Sequence, residues 1–139
     1  MIPRMSTTIR PATESDAPLV AWVQQEAARS HLPYGFWDLV FLGSDAWRLS
    51  QIEKIVRADA RSFCHWSNFL IAEVDGEPAA GLSGYENPSV TAGELLFAAM
   101  NEAFRAIGWT DLQAGALQER ILPFLTCVPE AAEEDWIVE

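Results

Sequence analysis

The dipeptide Asp75-Gly76, set between two extended apolar segments, constrains the fold of this chain more than any other feature of its sequence. Asp-Gly readily adopts the positive φ angles that a two-residue hairpin turn requires. Residues 68–74 and 77–86 are therefore predicted to form an antiparallel β-hairpin. The first arm is almost continuously apolar, which predicts that helices cover both of its faces. Gly81 and Gly84 favour a bulge or a close backbone approach in the second arm.

A strand and two amphipathic helices are predicted before the hairpin. Residues 7–11 are typical of a short strand, and Thr13 begins a capping sequence with an acidic first turn, so a helix should follow over residues 17–28. Ser44 precedes a second helical pattern that runs to about Arg61. The spacing predicts one buried and one solvated face on each helix. In the first helix the buried face is Leu19, Val20, Trp22 and Val23, and the solvated face is Gln24, Gln25, Glu26 and Arg29. In the second helix the buried face is Leu49, Ile52 and Val56, and the solvated face is Arg48, Glu53, Lys54 and Arg57.

The segment between these two helices is the best candidate for a recognition loop. Residues 30–43 combine Pro33 and Gly35 with three aromatic side chains, which favours a loop over a helix or a strand. Tyr34, Phe36 and Trp37 could line a substrate pocket, although aromatic residues beside Pro and Gly more often cover the edge of a sheet. The sequence leaves both interpretations open.

Two further helices and a strand are predicted after the hairpin. Thr91 and Glu94 match a capping box, and Gly108 is a typical residue for ending the helix that they open. A second helix should span residues 112–121 and end before Pro123. Residues 135–139 then have the pattern of a strand.

The composition indicates a single folded domain over residues 1–139. Half of the residues are hydrophobic and six are tryptophan, which is enough apolar surface to form a core. The pattern predicts an α+β fold with a short mixed or antiparallel sheet, flanked by helices, and a helical insertion before the last strand. The formal charge of −11 disfavours nucleic acid and anionic membranes as partners, because both require clustered Lys and Arg.

Cysteine spacing and hydropathy indicate a soluble, cytoplasmic protein without a metal site. Cys64 and Cys127 fit no metal-binding or CxxC spacing, and residues 1–5 lack the apolar core of a signal peptide. Every apolar stretch is interrupted well before the roughly 20 residues that a membrane span needs. His65 follows Cys64 directly, but neighbouring side chains diverge, so burial of both is favoured over a nucleophilic or metal-binding pair.

The order strand, helix, helix, hairpin, strand resembles the first half of the GNAT-type N-acetyltransferase fold. Residues 9–17, Ile-Arg-Pro-Ala-Thr-Glu-Ser-Asp-Ala, are similar to a frequent start of that family. Residues 71–81, Ile-Ala-Glu-Val-Asp-Gly-Glu-Pro-Ala-Ala-Gly, are similar to its second and third strands. The resemblance covers residues 7–86 and the last five residues. It implies transfer of an acetyl group from acetyl-CoA to an amine, carried by a small molecule or a protein.

The resemblance also implies roles for particular residues. Family members often place a catalytic base on the strand that residues 135–139 resemble, so Glu139 is the catalytic candidate, provided that a longer parent chain exists. The substrate-binding candidates are Tyr34, Phe36, Trp37 and Tyr85.

Two departures from the family pattern affect these expectations. Residues 91–126 are helical where many members turn directly from the third strand into the fourth, and this insertion could cover the acceptor site. The family's Q/R-x-x-G-x-G/A loop, which holds the CoA pyrophosphate, does not occur in the 139 residues. No cofactor-binding residue is therefore predicted, and acetyl-CoA is not expected to bind these residues alone.

Two other interpretations compete with that of an inactive acetyltransferase-like chain. Residues 136–139 could act as an open edge strand through which a non-catalytic binding module forms a homodimer or pairs with a missing C-terminal half. The chain could also be shortened by a frameshift, a premature stop or design.

Overall fold

The computed structural model describes residues 5–86, 90–125 and 136–138. Within these ranges, the chain forms five α-helices, four β-strands and two short 3-10 turns. The helices are α1 (Ala17–Arg29), α2 (Phe36–Val40), α3 (Asp45–Val56), α4 (Val90–Ala106) and α5 (Asp111–Leu125). The strands are β1 (Thr7–Pro11), β2 (Phe69–Val74), β3 (Glu77–Glu86) and β4 (Trp136–Val138).

The four strands form one antiparallel sheet in the order β1-β2-β3-β4. In its register, Arg10 lies opposite Ile71, and Ile71 lies opposite Gly81. This antiparallel sheet with flanking helices confirms the predicted α+β class. β4 confirms the strand predicted near the end of the chain and lies at the edge of the sheet, where it pairs with β3. Its pairing with a second chain stays a prediction.

The hairpin of β2 and β3 turns at the predicted dipeptide. Asp75 has a φ of 52° and Gly76 a φ of 85°, both in the left-handed region that such a turn requires. The register shifts beyond Ala72, because Glu73 pairs with Pro78 and leaves Ala79 as the extra residue of β3. The bulge therefore lies beside the turn, not at Gly81 or Gly84 as the sequence suggested.

The two faces of the sheet differ. Phe69, Ile71 and Ser83 point to the face that packs against the helices, and all three are buried. On the other face, Ile9 is 71% exposed, Leu70 48% and Leu82 52%. We call this surface, defined by Ile9, Leu70 and Leu82, the open sheet face. The prediction that both faces of β2 are covered is therefore wrong for the described residues.

Helix α1 begins where the capping sequence predicted, but it buries a different face. The Asp16 carboxylate accepts hydrogen bonds from the backbone N–H of Thr13 and from Arg10, which fixes the first turn. Gln24 and Gln25 are buried, whereas Trp22 is 48% exposed, so the predicted assignment of these side chains is wrong. Gln24 is retained inside because its Nε2 donates to the carbonyl of Cys64 at 2.9 Å.

Helix α3 is shorter than predicted. Its N-cap is Ser44, as expected, and Ile52 and Val56 are buried. It ends at Val56 and not near Arg61, because the chain turns there and brings Ala58 and Cys64 into the core. Arg48, predicted to be solvated, is only 5% exposed. Cys64 and His65 are both buried, which confirms the structural interpretation of that pair.

Helices α4 and α5 are joined by a tight turn at Gly108, which confirms the predicted helix end. Gly108 has a φ of 71°, and the backbone N–H groups of Gly108 and Trp109 donate to the carbonyls of Arg105 and Phe104. These two bonds form a Schellman motif, and the stacked rings of Phe104 and Trp109, 4.6 Å apart, supply its apolar contact. The side chains of Thr91 and Glu94 lie outside the described part of the chain.

Helix α5 begins within one residue of the predicted start but ends four residues later than predicted. The side chains of Thr110 and Gln113 form a capping box that starts the helix at Asp111, a signal that the sequence analysis missed. Pro123 lies inside the helix, which continues to Leu125, instead of after it. Among the described helices, none is long and apolar enough to cross a membrane.

Candidate functional site

The connection between α1 and α3 carries three of the four predicted substrate-binding residues. It is not a loop throughout, because Phe36–Val40 forms the short helix α2. Tyr34 is 72% exposed and Phe36 is half-buried, whereas Trp37 is only 4% exposed. Tyr34 and Phe36 therefore retain surface that a substrate can contact, and Trp37 belongs to the core.

Trp37 is part of a buried aromatic cluster centred on Phe41. Its ring is nearly parallel to that of Phe41, with centroids 6.2 Å apart. Phe36 meets Trp37 edge to face at 5.2 Å, so the ring nearest the surface is held by the ring beneath it. The three rings thus follow one another from the core toward the surface in the order Phe41, Trp37, Phe36.

A buried carboxylate holds α2 in place. Asp38 accepts two hydrogen bonds from Arg29, with Nε–Oδ2 and Nη2–Oδ1 distances of 2.9 and 2.7 Å. Its Oδ2 also accepts the backbone N–H of Gly35 at 2.9 Å, which caps the helix. Position 35 requires glycine, because a Cβ there would lie 2.3 Å from the carbonyl oxygen of Ala28. The sequence pattern of Gly35 followed three residues later by Asp38 was the available signal for this short helix.

Arg48 anchors the other end of the connection. Its Nε donates to the carbonyl of Phe41 and its Nη2 to the carbonyl of Gly43, each at 2.9 Å. Its Nη1 lies 2.6 Å from Asp45 and 3.1 Å from Asp38. Arg29, Asp38, Asp45 and Arg48 therefore form one ion-pair network, which we call the α1–α3 network.

The charges of this network are fixed near neutral pH. The two hydrogen bonds from Arg29 lower the pKa of Asp38 to about 2, and those from Arg29 and Arg48 also lower the pKa of Asp45. A general base must take up a proton near the working pH. Asp38 is thus suited to position the connection and not to accept a proton.

His65 is not suited to acid–base chemistry at the surface. It is 4% exposed, and burial lowers the pKa of its imidazole below the ordinary value of 6.5. Its Nδ1 lies 2.7 Å from the Ser67 hydroxyl. These contacts give His65 a local structural role between α3 and β2.

The helical insertion packs against this connection. Helix α5 lies on α2 and α4 lies on α3. Arg120 of α5 donates from Nε to the carbonyl of Leu39 at 3.2 Å, near the end of α2. The insertion therefore contacts the segment that carries Tyr34 and Phe36. That it covers an acceptor site stays a prediction.

Of the two remaining predicted residues, only Tyr85 lies within the described part of the chain. Tyr85 of β3 is opposite Ile137 of β4 in the register. Glu139 lies outside the described residues, so its catalytic role stays a prediction. In the part of the chain that the structure describes, no three His, Cys, Asp or Glu side chains are grouped so that they could hold a metal ion.

Comparison with known proteins supports the fold. No protein-family model and no curated protein matches the chain. A solved structure described as "The crystal structure of acetyltransferase" matches it with a TM-score of 0.56 and 20% sequence identity. The match covers 74% of this chain and 50% of the other, so this chain aligns with half the length of that protein. At this level of identity, the comparison shows that the chain has an acetyltransferase-like fold.

Proposed function

We propose that this chain is the acceptor-side part of a GNAT-type N-acetyltransferase, which transfers an acetyl group from acetyl-CoA to an amine. The observation that carries the proposal is the structural likeness to the solved acetyltransferase. The sequence similarity at residues 9–17 and 71–81 supports it independently, because those segments form β1, the start of α1 and the β2–β3 hairpin in the expected order.

The chemistry of such a transfer assigns tasks to the chain's own residues. An acceptor ammonium with a pKa near 10 must lose a proton before its nitrogen can attack the thioester carbonyl. The carbonyl oxygen then gains negative charge, which a backbone N–H can stabilise, before the thiolate leaves. Glu139 is the proposed base. Tyr34 and Phe36 are proposed to contact the acceptor, since they offer the exposed aromatic surface of the α1–α3 connection.

Charge favours a cationic acceptor. The chain carries a formal charge of −11, which raises the local concentration of cations near its surface. Asp38 and Asp16 are engaged by Arg29 and Arg10, so these two carboxylates are not the ones left to attract an amine.

The described residues offer no phosphate cradle, so we propose that these 139 residues alone do not bind acetyl-CoA usefully. The nearest approach to the family's loop is Arg-Ala-Ile-Gly-Trp-Thr at residues 105–110, where Thr110 replaces the final Gly or Ala. The backbone N–H groups of Gly108, Trp109 and Thr110 donate to Arg105, Phe104 and Gln113. A pyrophosphate would have to displace these bonds.

Calorimetric titration of acetyl-CoA into the 139-residue chain tests this part of the proposal. We expect no heat of binding at micromolar concentrations, with circular dichroism as the control that the chain is folded. Micromolar binding would show that a cofactor site exists within these residues and would contradict the assignment.

The transferase activity is tested on the chain joined to a cofactor-binding part. In the joined protein, release of CoA should depend on an added amine. Tyr34→Ala and Phe36→Ala should raise the KM for the amine and not the KM for acetyl-CoA. Leu32→Ala is the matched control, since Leu32 is also an exposed residue of the connection. The absence of amine-dependent CoA release would refute the proposed function.

A further inference from the structure

A surface cleft lies where the helical insertion meets the end of the α1–α3 connection. Its volume is about 350 Å³, enough for a small two-ring molecule. Six residues line it: Leu42, Trp47, Trp109, Gln113, Ala116 and Arg120. We call it the indole cleft, after its two tryptophans. None of its residues is among those assigned to acceptor binding or catalysis above.

The two indole rings are held in place from beneath. Trp47 and Trp109 each meet the buried ring of Phe41 edge to face, with centroids 5.9 and 6.3 Å apart. Trp109 also stacks on Phe104 within the Schellman motif. Both indoles are half-buried, so they expose ring surface to the cleft without freedom to turn away. The walls of the cleft are thus preorganised for a flat apolar group.

The polar groups of the cleft include a cation without a matching carboxylate. Arg10, Arg29, Arg48 and Arg57 each pair with Asp or Glu. Within the described residues, Arg120 has no carboxylate within ion-pair distance, and the bond from its Nε to Leu39 leaves both terminal amino groups available. Arg61 and Arg105 also form no ion pair with a described carboxylate, but both are exposed and neither lines the cleft.

Gln113 adds a second donor. Its Oε1 accepts from the backbone N–H and the hydroxyl of Thr110, at 2.8 and 3.1 Å. The amide Nε2 is therefore the part of Gln113 left to face a ligand. Among the residues that the structure describes, no Asp or Glu lines the cleft. This described lining offers donors and one positive charge, without an acidic group to balance it.

We propose that the indole cleft binds an aromatic carboxylate, with its ring against Trp47 and Trp109 and its carboxylate on Arg120. The planar guanidinium matches a carboxylate with two parallel hydrogen bonds, which a neutral or cationic ligand cannot accept in the same way. A cation would in addition meet the charge of Arg120. This site goes beyond the proposed acetyl transfer, and it requires neither acetyl-CoA nor an amine.

Nuclear magnetic resonance on the ¹⁵N-labelled chain tests the site with three probes of one shape. They are 1-naphthaleneacetate, the neutral 1-naphthaleneacetamide and the cationic 1-naphthylmethylamine. Trp47→Phe and Trp109→Phe assign the two indole N–H signals. We expect 1-naphthaleneacetate to shift both signals with a Kd on the order of 1 mM or below. The amide and the amine should bind at least about tenfold more weakly.

Two variants and one control variant locate the binding. Arg120→Gln should weaken 1-naphthaleneacetate binding at least about tenfold, whereas Arg105→Gln, which removes an exposed arginine that does not line the cleft, should leave it unchanged. Ala116→Phe keeps Arg120 and fills the cleft, so it should abolish the shifts. Because Ala116→Phe does not disturb the bond from Arg120 to Leu39, it remains informative if Arg120→Gln alters α2.

Specific outcomes would overturn the proposal. These are the absence of shifts at Trp47 and Trp109 up to about 10 mM probe, equal binding of the acid and its amide, or unchanged binding in Ala116→Phe. Each can occur whether or not the chain takes part in acetyl transfer, so failure here is distinct from failure of the proposed function.

Discussion

Removing the charge of Asp38 should destabilise the protein more than removing that of Asp45, the other carboxylate of the α1–α3 network. In Asp38→Asn the side chain stays the same size, but Arg29 and Arg48 lose the more buried of the two carboxylates that they share. The side chains of these arginines are 15% and 6% exposed, so their charges are left largely buried. Breaking a buried ion pair in this way commonly costs about 3–5 kcal/mol.

The pKa of Asp38 gives a second measure of the same interaction. The fall from 3.8 to about 2 corresponds to about 2 kcal/mol of stability at neutral pH. Asp45 still pairs with both arginines in the variant, which favours the lower end of the range. We therefore expect Asp38→Asn to lower the free energy of unfolding by about 2–3 kcal/mol at pH 7.

Urea unfolding followed by circular dichroism measures this change, read as a shift in midpoint at constant slope. Asp45→Asn is the matched control, because it removes the same charge from a side chain that is 61% exposed and should cost less. Since the folded pKa of Asp38 is depressed, its contribution is complete above the unfolded pKa of 3.8 and is lost as the pH falls through about 2. The difference between wild type and Asp38→Asn should thus shrink by about 1 kcal/mol from pH 7 to pH 3. Equal effects of the two variants, or a difference independent of pH, would refute the reasoning.

Three glycines give further predictions by the same assay. Gly35→Ala should destabilise the protein by about 1–3 kcal/mol, since its Cβ would meet the carbonyl oxygen of Ala28; a neutral effect would mean that α2 can shift away from α1. Gly115→Ala, within α5 and with nothing within 4 Å of the new Cβ, should instead stabilise it by about 0.5–1 kcal/mol, and a loss of stability would contradict the openness of that position. Gly108→Ala should cost roughly 1–2 kcal/mol, because φ is 71° there, whereas an unchanged midpoint would argue against the Schellman turn.

Elements specified by adjacent residues were predictable from the sequence. The turn at Asp75-Gly76 and the helix end at Gly108 depend on positive φ angles that few residues adopt. The residue types at these positions therefore predict the local backbone conformation. The capping sequence at Thr13 acts over three residues and likewise gave the start of α1. β4 was recognisable from its own pattern, although its place beside β3 required the fold.

Features that depend on distant partners were not predictable. Gln24 was expected in solvent by residue type, yet it is buried because the carbonyl of Cys64, 40 residues away, accepts its hydrogen bond. Arg48 is buried because the carbonyls of Phe41 and Gly43 point at it, a geometry that no local pattern encodes. For the candidate site, the sequence placed three aromatic residues in one connection but did not give the direction of each ring, since packing on Phe41 decides that Trp37 points inward.

The open sheet face has a consequence for the behaviour of the protein in solution. Ile9, Leu70 and Leu82 give each molecule an exposed apolar patch that favours association between molecules. The formal charge of −11 opposes this association, because it makes the molecules repel one another at pH 7. This repulsion vanishes near the isoelectric point of about 4.5 and is screened beyond about 3 Å in 1 M salt. Colloidal stability is therefore greatest in dilute buffer at neutral pH, and mild acid or high salt should bring the molecules together into reversible clusters.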